Sequence, residues 1–235
     1  MSAKTNALLW SLLLGVACSA YAQSSKVERQ RQLEPEIKTF EEADQKKPPP
    51  KGAVLFIGSS SIRLWKSLAE DFPAVRIINR GFGGSHIEDS IDFADRIVFR
   101  YRPRLIVLYA GDNDIESGKS PAVVLEDFKK FVALVHQKLP RTRIAFISIK
   151  PSPARWHLAG KVREANRLIK DFTETDRRLR YIDVFTPMLG KDGNPRGELF
   201  VEDRLHMNEA GYALWRSIVA PYVESNRYHF RGLSQ

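Results

Sequence analysis

Cysteine is almost absent: Cys18 is the only one in 235 residues. An internal disulfide is therefore excluded, because a second thiol is missing. No cysteine–histidine cluster and no H-E-x-x-H pair is present, so the usual zinc patterns are missing too. The apolar run Ala7 to Ala17 is short for a membrane span, and no later segment approaches eighteen apolar residues. G-x-x-x-x-G-K-[ST] does not occur, which removes a P-loop, and G-x-S-x-G does not occur either. Basic residues never form a run of five, so no compact nucleic-acid signature exists. No internal repeat or low-complexity tract competes with a single globular body.

What is present fits one domain with short extensions: 43% of residues are hydrophobic and 28% charged. Lys4, the apolar run and Ala20-Tyr21-Ala22 follow the order of a secretory signal, cleaved after Ala22. This places the mature protein in the periplasm or outside the cell. Gly15-Val16-Ala17-Cys18 also resembles a lipoprotein box, with glycine where leucine is usual, a less favoured alternative. The formal charge is +9, and removing Lys4 with the leader leaves +8. Residues 23–50 hold six basic and six acidic side chains, so the surplus belongs to residues 51–235. Such a field suits a solvated surface or peripheral contact with an anionic envelope, and no nucleic-acid partner is expected.

Residues 23–50 read as a polar lead-in. Ile37, Phe40 and Ala43 recur at helical spacing, predicting a short helix laid against the domain, and Pro48-Pro49-Pro50 closes the segment in extended form. From Lys51 the chain alternates. Apolar runs at Ala53–Ile57, Val75–Asn79, Leu105–Ala110, Arg143–Ile149 and Arg180–Phe185 predict five strands buried on both faces. Helical stretches are expected near 62–72, 87–100, 121–139, 159–176 and 208–224, with Ser120-Pro121 starting the third. The expected fold is α/β, a five-stranded parallel sheet with helices on both faces. Ligands in such sheets bind beyond the carboxyl ends of the strands.

Four segments fall at that edge. Gly58-Ser59-Ser60-Ser61 lies between the first strand and a helix, where a serine meets helix N–H groups or merely caps the helix. Asn79 to His86 is rich in glycine, which allows sharp turns and close approach to a ligand. Gly111-Asp112-Asn113-Asp114 offers an amide to a developing oxyanion, or an ordinary cap. Asp203-Arg204-Leu205-His206 sets a carboxylate beside an imidazole on one turn. His136 and His229 fit structural roles, while His86 and His157 lie near candidate loops.

These segments, in this order, resemble the four blocks of the SGNH hydrolases, also called GDSL-type esterases, over about Val54 to Trp215. The resemblance implies the flavodoxin-like, three-layer α/β/α fold of that superfamily. It implies Ser60 as nucleophile, Asp203 and His206 as its partners, and an oxyanion hole from the Ser60 and Gly84 N–H groups with the Asn113 amide. No cofactor is implied. Ser59 departs from the family, standing where G-D-S has aspartate. The expected reaction is hydrolysis of a carboxylic ester of a small molecule or polymer, a lysophospholipid or an acetylated saccharide among them. Acyl transfer to a sugar and a non-catalytic binding module that keeps the fold are the alternatives. Arg155, after the fourth strand, is a candidate substrate-binding residue or a surface cation.

Overall fold

The structure, a computed structural model, describes residues 26–224. The leader, Cys18 and His229 lie outside the described residues. The elements, in chain order, begin with helix α1 over 26–46. Strand β1 (Val54–Gly58), helices α2 (Ser60–Arg63) and α3 (Leu68–Asp71), and strand β2 (Ile77–Gly81) follow. Next come α4 (Ile87–Asp92), α5 (Ala94–Ile97), β3 (Leu105–Tyr109), α6 (Asp112–Glu116) and α7 (Pro121–Lys138). The chain continues with β4 (Arg143–Ile147), α8 (Ala159–Thr173), β5 (Leu179–Ile182) and α9 (Glu209–Val223). The five strands form one sheet in the order β2-β1-β3-β4-β5, and every pairing is parallel.

Each strand faces two cores, which is why the runs show no polar alternation. Leu55, Ile57, Ile106, Leu108, Ile144 and Phe146 pack with residues of α1, α4, α5, α7 and α8 on one side. Val54, Phe56, Val107, Tyr109, Ala145 and Ile147 pack with α2, α3 and α9 on the other. Trp65 and Trp215 sit edge to face in this second layer, their ring centroids 6.0 Å apart. Ser120 caps α7 by accepting from the Val123 N–H, with Pro121 at the first helical position.

The differences from the sequence expectations are local. The helix expected over 62–72 is split into α2 and α3, because Trp65 Nε1 and Ser67 Oγ both turn to Asp71 Oδ2 at 2.6 and 2.8 Å. The stretch 87–100 is likewise broken into α4, α5 and a short 3-10 turn. β5 ends at Ile182 rather than Phe185, since the Val184 and Phe185 N–H groups leave the ladder for Ser148 Oγ. β2 starts two residues later than expected, at Ile77.

The lead-in helix is much longer than its periodicity suggested. α1 brings Leu33 and Ile37 into the first core, both buried, with Phe40 packed against it. Charges fasten the same helix. Arg96 pairs with Glu34 and Glu41, Arg29 with Glu88 and Asp89, and Arg80 with Asp44. Hydrogen bonding to Arg96 holds the Glu34 and Glu41 carboxyls below their ordinary value. A carboxyl depressed in the folded state stabilises it above the unfolded value, and that contribution fades as pH falls through the folded one. Amide hydrogen-exchange protection of α1 should therefore drop below about pH 4, ahead of the β1 and β3 amides. Equal loss in helix and strands would show that these pairs do not hold α1.

Candidate active site

The carboxyl edge of the sheet collects the four segments. At the end of β1, Gly58 has φ of +123°, and a Cβ there would lie 1.9 Å from the Tyr109 carbonyl oxygen. Only glycine lets the chain turn this close to β3. The Ser59 N–H donates to that same carbonyl, and α2 starts at once with Ser60. Ser59 and Ser61 are buried on either side, while Ser60 is half-buried at the edge.

Asp203 to His206 form a tight turn. The Leu205 and His206 N–H groups both donate to Asp203 Oδ1 at 2.8 Å. That arrangement aims Oδ2 at the ring, 2.6 Å from His206 Nδ1. The second ring nitrogen, Nε2, lies 3.0 Å from Ser60 Oγ. Asp203, His206 and Ser60 thus form one continuous hydrogen-bonded chain across 146 residues of sequence. Burial alone would raise the Asp203 carboxyl, but the His206 ring and the two backbone donors outweigh it and bring it down to about 2. The aspartate is therefore ionised throughout the neutral range. Asn208 fixes where the following helix begins: its Oδ1 accepts from the Gly211 N–H, and its Nδ2 donates to the Glu198 and Phe200 carbonyls.

The second segment is stitched to the first. Asn79 Nδ2 donates to the Ile62 carbonyl, its Oδ1 accepts from the Gly81 N–H, and the Phe82 N–H reaches the Gly58 carbonyl. Gly84 follows with φ of +75° and is exposed at the loop tip. Asn113, in the first turn of α6, donates through Nδ2 to the Ser85 carbonyl at 3.1 Å. Since an amide carries two N–H bonds, one remains for a ligand. Gly84 and Asn113, set apart by 29 positions, are thereby tied to one loop.

Arg155, in the loop after β4, reaches the Asn113 side of the site. Its Nη1 donates to Asn113 Oδ1 at 3.0 Å and lies 3.3 Å from Asp112, and its Nε is 3.6 Å from Glu116. A guanidinium on the oxygen draws charge from the amide and strengthens its N–H donors. Behind it lies Lys150, which the sequence reading passed over. Its Nζ is buried, 3.2 Å from the Tyr109 hydroxyl and 3.4 Å from Asp112 Oδ2. Burial lowers the Lys150 ammonium. Burial alone would raise the Asp112 carboxyl, yet Lys150 and Arg155 hold it below its usual range. A lysine directly after the apolar run 143–149 and before Pro151 was the available signal. Glu36 of α1 was also missed; its carboxylate accepts from the Gly83 N–H at 3.2 and 3.3 Å.

The other described histidines, His86, His136 and His157, stand apart from this chain. His86 is buried with Nδ1 3.7 Å from Glu88, and His136 lies 3.2 Å from the Thr142 carbonyl. His157 lies in the 3-10 turn Pro153–Leu158. Among the described residues, no three His, Cys, Asp or Glu side chains gather as a metal site.

Comparisons with known proteins agree with this fold. A Streptococcus pneumonia protein, provisionally described as a platelet activating factor, matches 95% of this chain and 100% of its own at 21% identity and a TM-score of 0.74. A GDSL-like lipase from Bacteroides thetaiotaomicron matches 80% of this chain and 97% of its own, at 17% identity and TM-score 0.70. The acetyl xylan esterase AlAXEase matches 72% and 98%, at 17% identity and TM-score 0.62. At these identities the likeness concerns the fold. No curated protein matches the chain in sequence. The model of the GDSL-like lipase/acylhydrolase family, however, matches residues 25–214, from the lead-in helix to beyond the Asp203–His206 turn. By that match the chain belongs to the GDSL-like lipase/acylhydrolase family.

Proposed function

We propose that the protein is a serine esterase that cleaves carboxylic esters through an acyl-enzyme. The observation that carries this reading is the continuous Asp203–His206–Ser60 hydrogen-bonded chain. Asp203 accepts the Nδ1 proton of His206, which leaves Nε2 with a lone pair facing the Ser60 hydroxyl. As Ser60 Oγ attacks the ester carbonyl, its proton passes to Nε2, and the carbonyl oxygen becomes an oxyanion. The Ser60 and Gly84 N–H groups and Asn113 Nδ2 stabilise that charge. His206 then gives its proton to the leaving alcohol. Water, deprotonated by the same nitrogen, attacks the acyl group and restores the free serine.

Family membership supports an ester of a small molecule or a polymer as substrate. The structural similarity to an acetyl xylan esterase adds weight to short acyl groups on saccharides. The leader pattern over 1–22 supports work outside the cytoplasm, which N-terminal sequencing of the exported form would check.

Labelling with a fluorophosphonate, then mapping of the modified peptide, is the direct test of the nucleophile. The label should sit on Ser60; a label elsewhere, or none on folded protein, would overturn the assignment. Asn113→Ala should lower kcat by about 10²–10³ through loss of one oxyanion donor. Arg155→Gln keeps Asn113 in place but removes the charge behind it, so its loss in kcat should be smaller, with KM little changed. An Arg155 variant that loses affinity instead would return that residue to substrate binding.

A further inference from the structure

A buried cation lies beneath the site and takes no part in the reaction as written above. The Lys150 side chain is 1% exposed. An ammonium withdrawn from water is costly, and replacing a buried ion pair by apolar side chains of similar volume is often neutral or stabilising. Stability is therefore a poor reason for a charge here. The neighbours supply a better one. Nζ lies 3.2 Å from the Tyr109 hydroxyl, 5.5 Å from the Tyr109 ring centre and 3.4 Å from Asp112 Oδ2. Tyr109 is itself fixed: its ring packs edge to face on Trp215, centroids 5.0 Å apart, and its carbonyl accepts the Ser59 N–H of the serine turn.

Asp112 joins this lysine to the asparagine. Its Oδ1 accepts the Asn113 N–H at 3.1 Å, while its Oδ2 faces both Lys150 and, at 3.3 Å, Arg155 Nη1. That same Nη1 donates to Asn113 Oδ1 at 3.0 Å. Arg155 is thus divided between a charged acceptor and a neutral one. Left to itself a guanidinium favours the carboxylate, because charge-assisted hydrogen bonds are roughly twice as strong as neutral ones. Lys150 supplies part of the countercharge and so leaves Nη1 to the asparagine. Burial would raise the Asp112 carboxyl, and Lys150, then Arg155, draws it down. The segment that opens with Lys150 also reaches the histidine turn, since the Ala154 N–H donates to the Arg204 carbonyl at 3.1 Å.

We infer, on the serine-esterase reading, that Lys150 is a positioning residue: it holds Asp112 so that Arg155 stays on Asn113 and the asparagine amide stays aimed at the oxyanion. Without the ammonium, Arg155 Nη1 closes on Asp112 and leaves Asn113 Oδ1. The amide then loses both orientation and polarisation, while Ser60 and His206 keep their contact. Asp112 still has Arg155 beside it, so no buried carboxylate is stranded and the fold survives. The penalty falls on the transition state, where alone the oxyanion develops, and kcat rather than KM should carry it.

The test is steady-state hydrolysis of a short nitrophenyl ester by wild type, Lys150→Met, Asn113→Ala and the double variant, with thermal unfolding to check folding. Lys150→Met should lower kcat about 10- to 100-fold, less than full loss of the asparagine donor, with KM within about twofold of wild type. In the Asn113→Ala background the same change should lower kcat less than about threefold, because the group it positions is gone. A merely structural lysine would lower kcat equally in both backgrounds. Wild type that is inactive and takes no fluorophosphonate on Ser60 would overturn the esterase reading and this inference with it. Active wild type, with equal losses in the two backgrounds or with unchanged kcat in Lys150→Met, would overturn the inference alone. If Lys150→Met does not fold, Lys150→Gln, which keeps a donor, meets the same expectations; failure of both to fold would make the lysine structural and end the proposal.

Discussion

Ser60→Ala is expected to lower kcat on a short nitrophenyl ester by about 10⁶, leaving only the acceleration that the oxyanion hole and binding provide. The size follows from the geometry. Ser60 Oγ is the oxygen 3.0 Å from His206 Nε2, and the serines on either side are buried. Ser59, 0% exposed, and Ser61, 1% exposed, would need a rebuilt strand-to-helix turn to reach an ester. That turn is fixed by Gly58 against the Tyr109 carbonyl, so no small rotation substitutes one hydroxyl for another. Fold should be unaffected, since Ser60 lies at the edge and the alanine leaves no buried group unpaired. A variant that keeps more than a few per cent of wild-type turnover would mean that another nucleophile does the chemistry.

Asp203→Asn should reduce kcat by about 10⁴ with little change in KM or melting temperature. The asparagine oxygen can still accept from the Leu205 and His206 N–H groups, so the turn survives. Its amide, however, then faces His206 Nδ1 as a donor. The ring answers by placing its proton on Nε2, where it points at Ser60 and cannot accept the hydroxyl proton. Only the tautomer changes. Because the Asp203 carboxyl titrates at about 2, the wild-type enzyme should show no loss of activity attributable to this group above pH 4. If Asp203→Asn retained near wild-type kcat, the carboxylate would be an ornament of the turn, not a partner of the base.

Strands and the Asp203–His206 turn were legible in sequence for the same reason: both are written locally. Val54 to Gly58 and Leu105 to Tyr109 are apolar throughout because two layers cover them, and Asp203 and His206 meet within one turn. Helix limits were less legible. The apolar repeat Ile37, Phe40 and Ala43 covers only two turns, so the lead-in reads as a short helix. Pairing of Arg29 with Glu88 and Asp89 sustains it from 26 onward. The surroundings of the site were not legible at all. Arg155 meets Asn113 across 42 residues, Lys150 meets Asp112 across 38, and Glu36 meets Gly83 across 47. No local pattern encodes such contacts.

The hydrogen bond from Gly83 to Glu36 bears on where the protein can be cut. Family resemblance by motif starts at the first strand, and an expression clone trimmed there would look complete. It would lack the acidic clamp beside the loop that carries Gly84, and it would uncover the patch that Leu33 and Ile37 fill. Such a shortened product should be both stickier and slower, two defects with one origin.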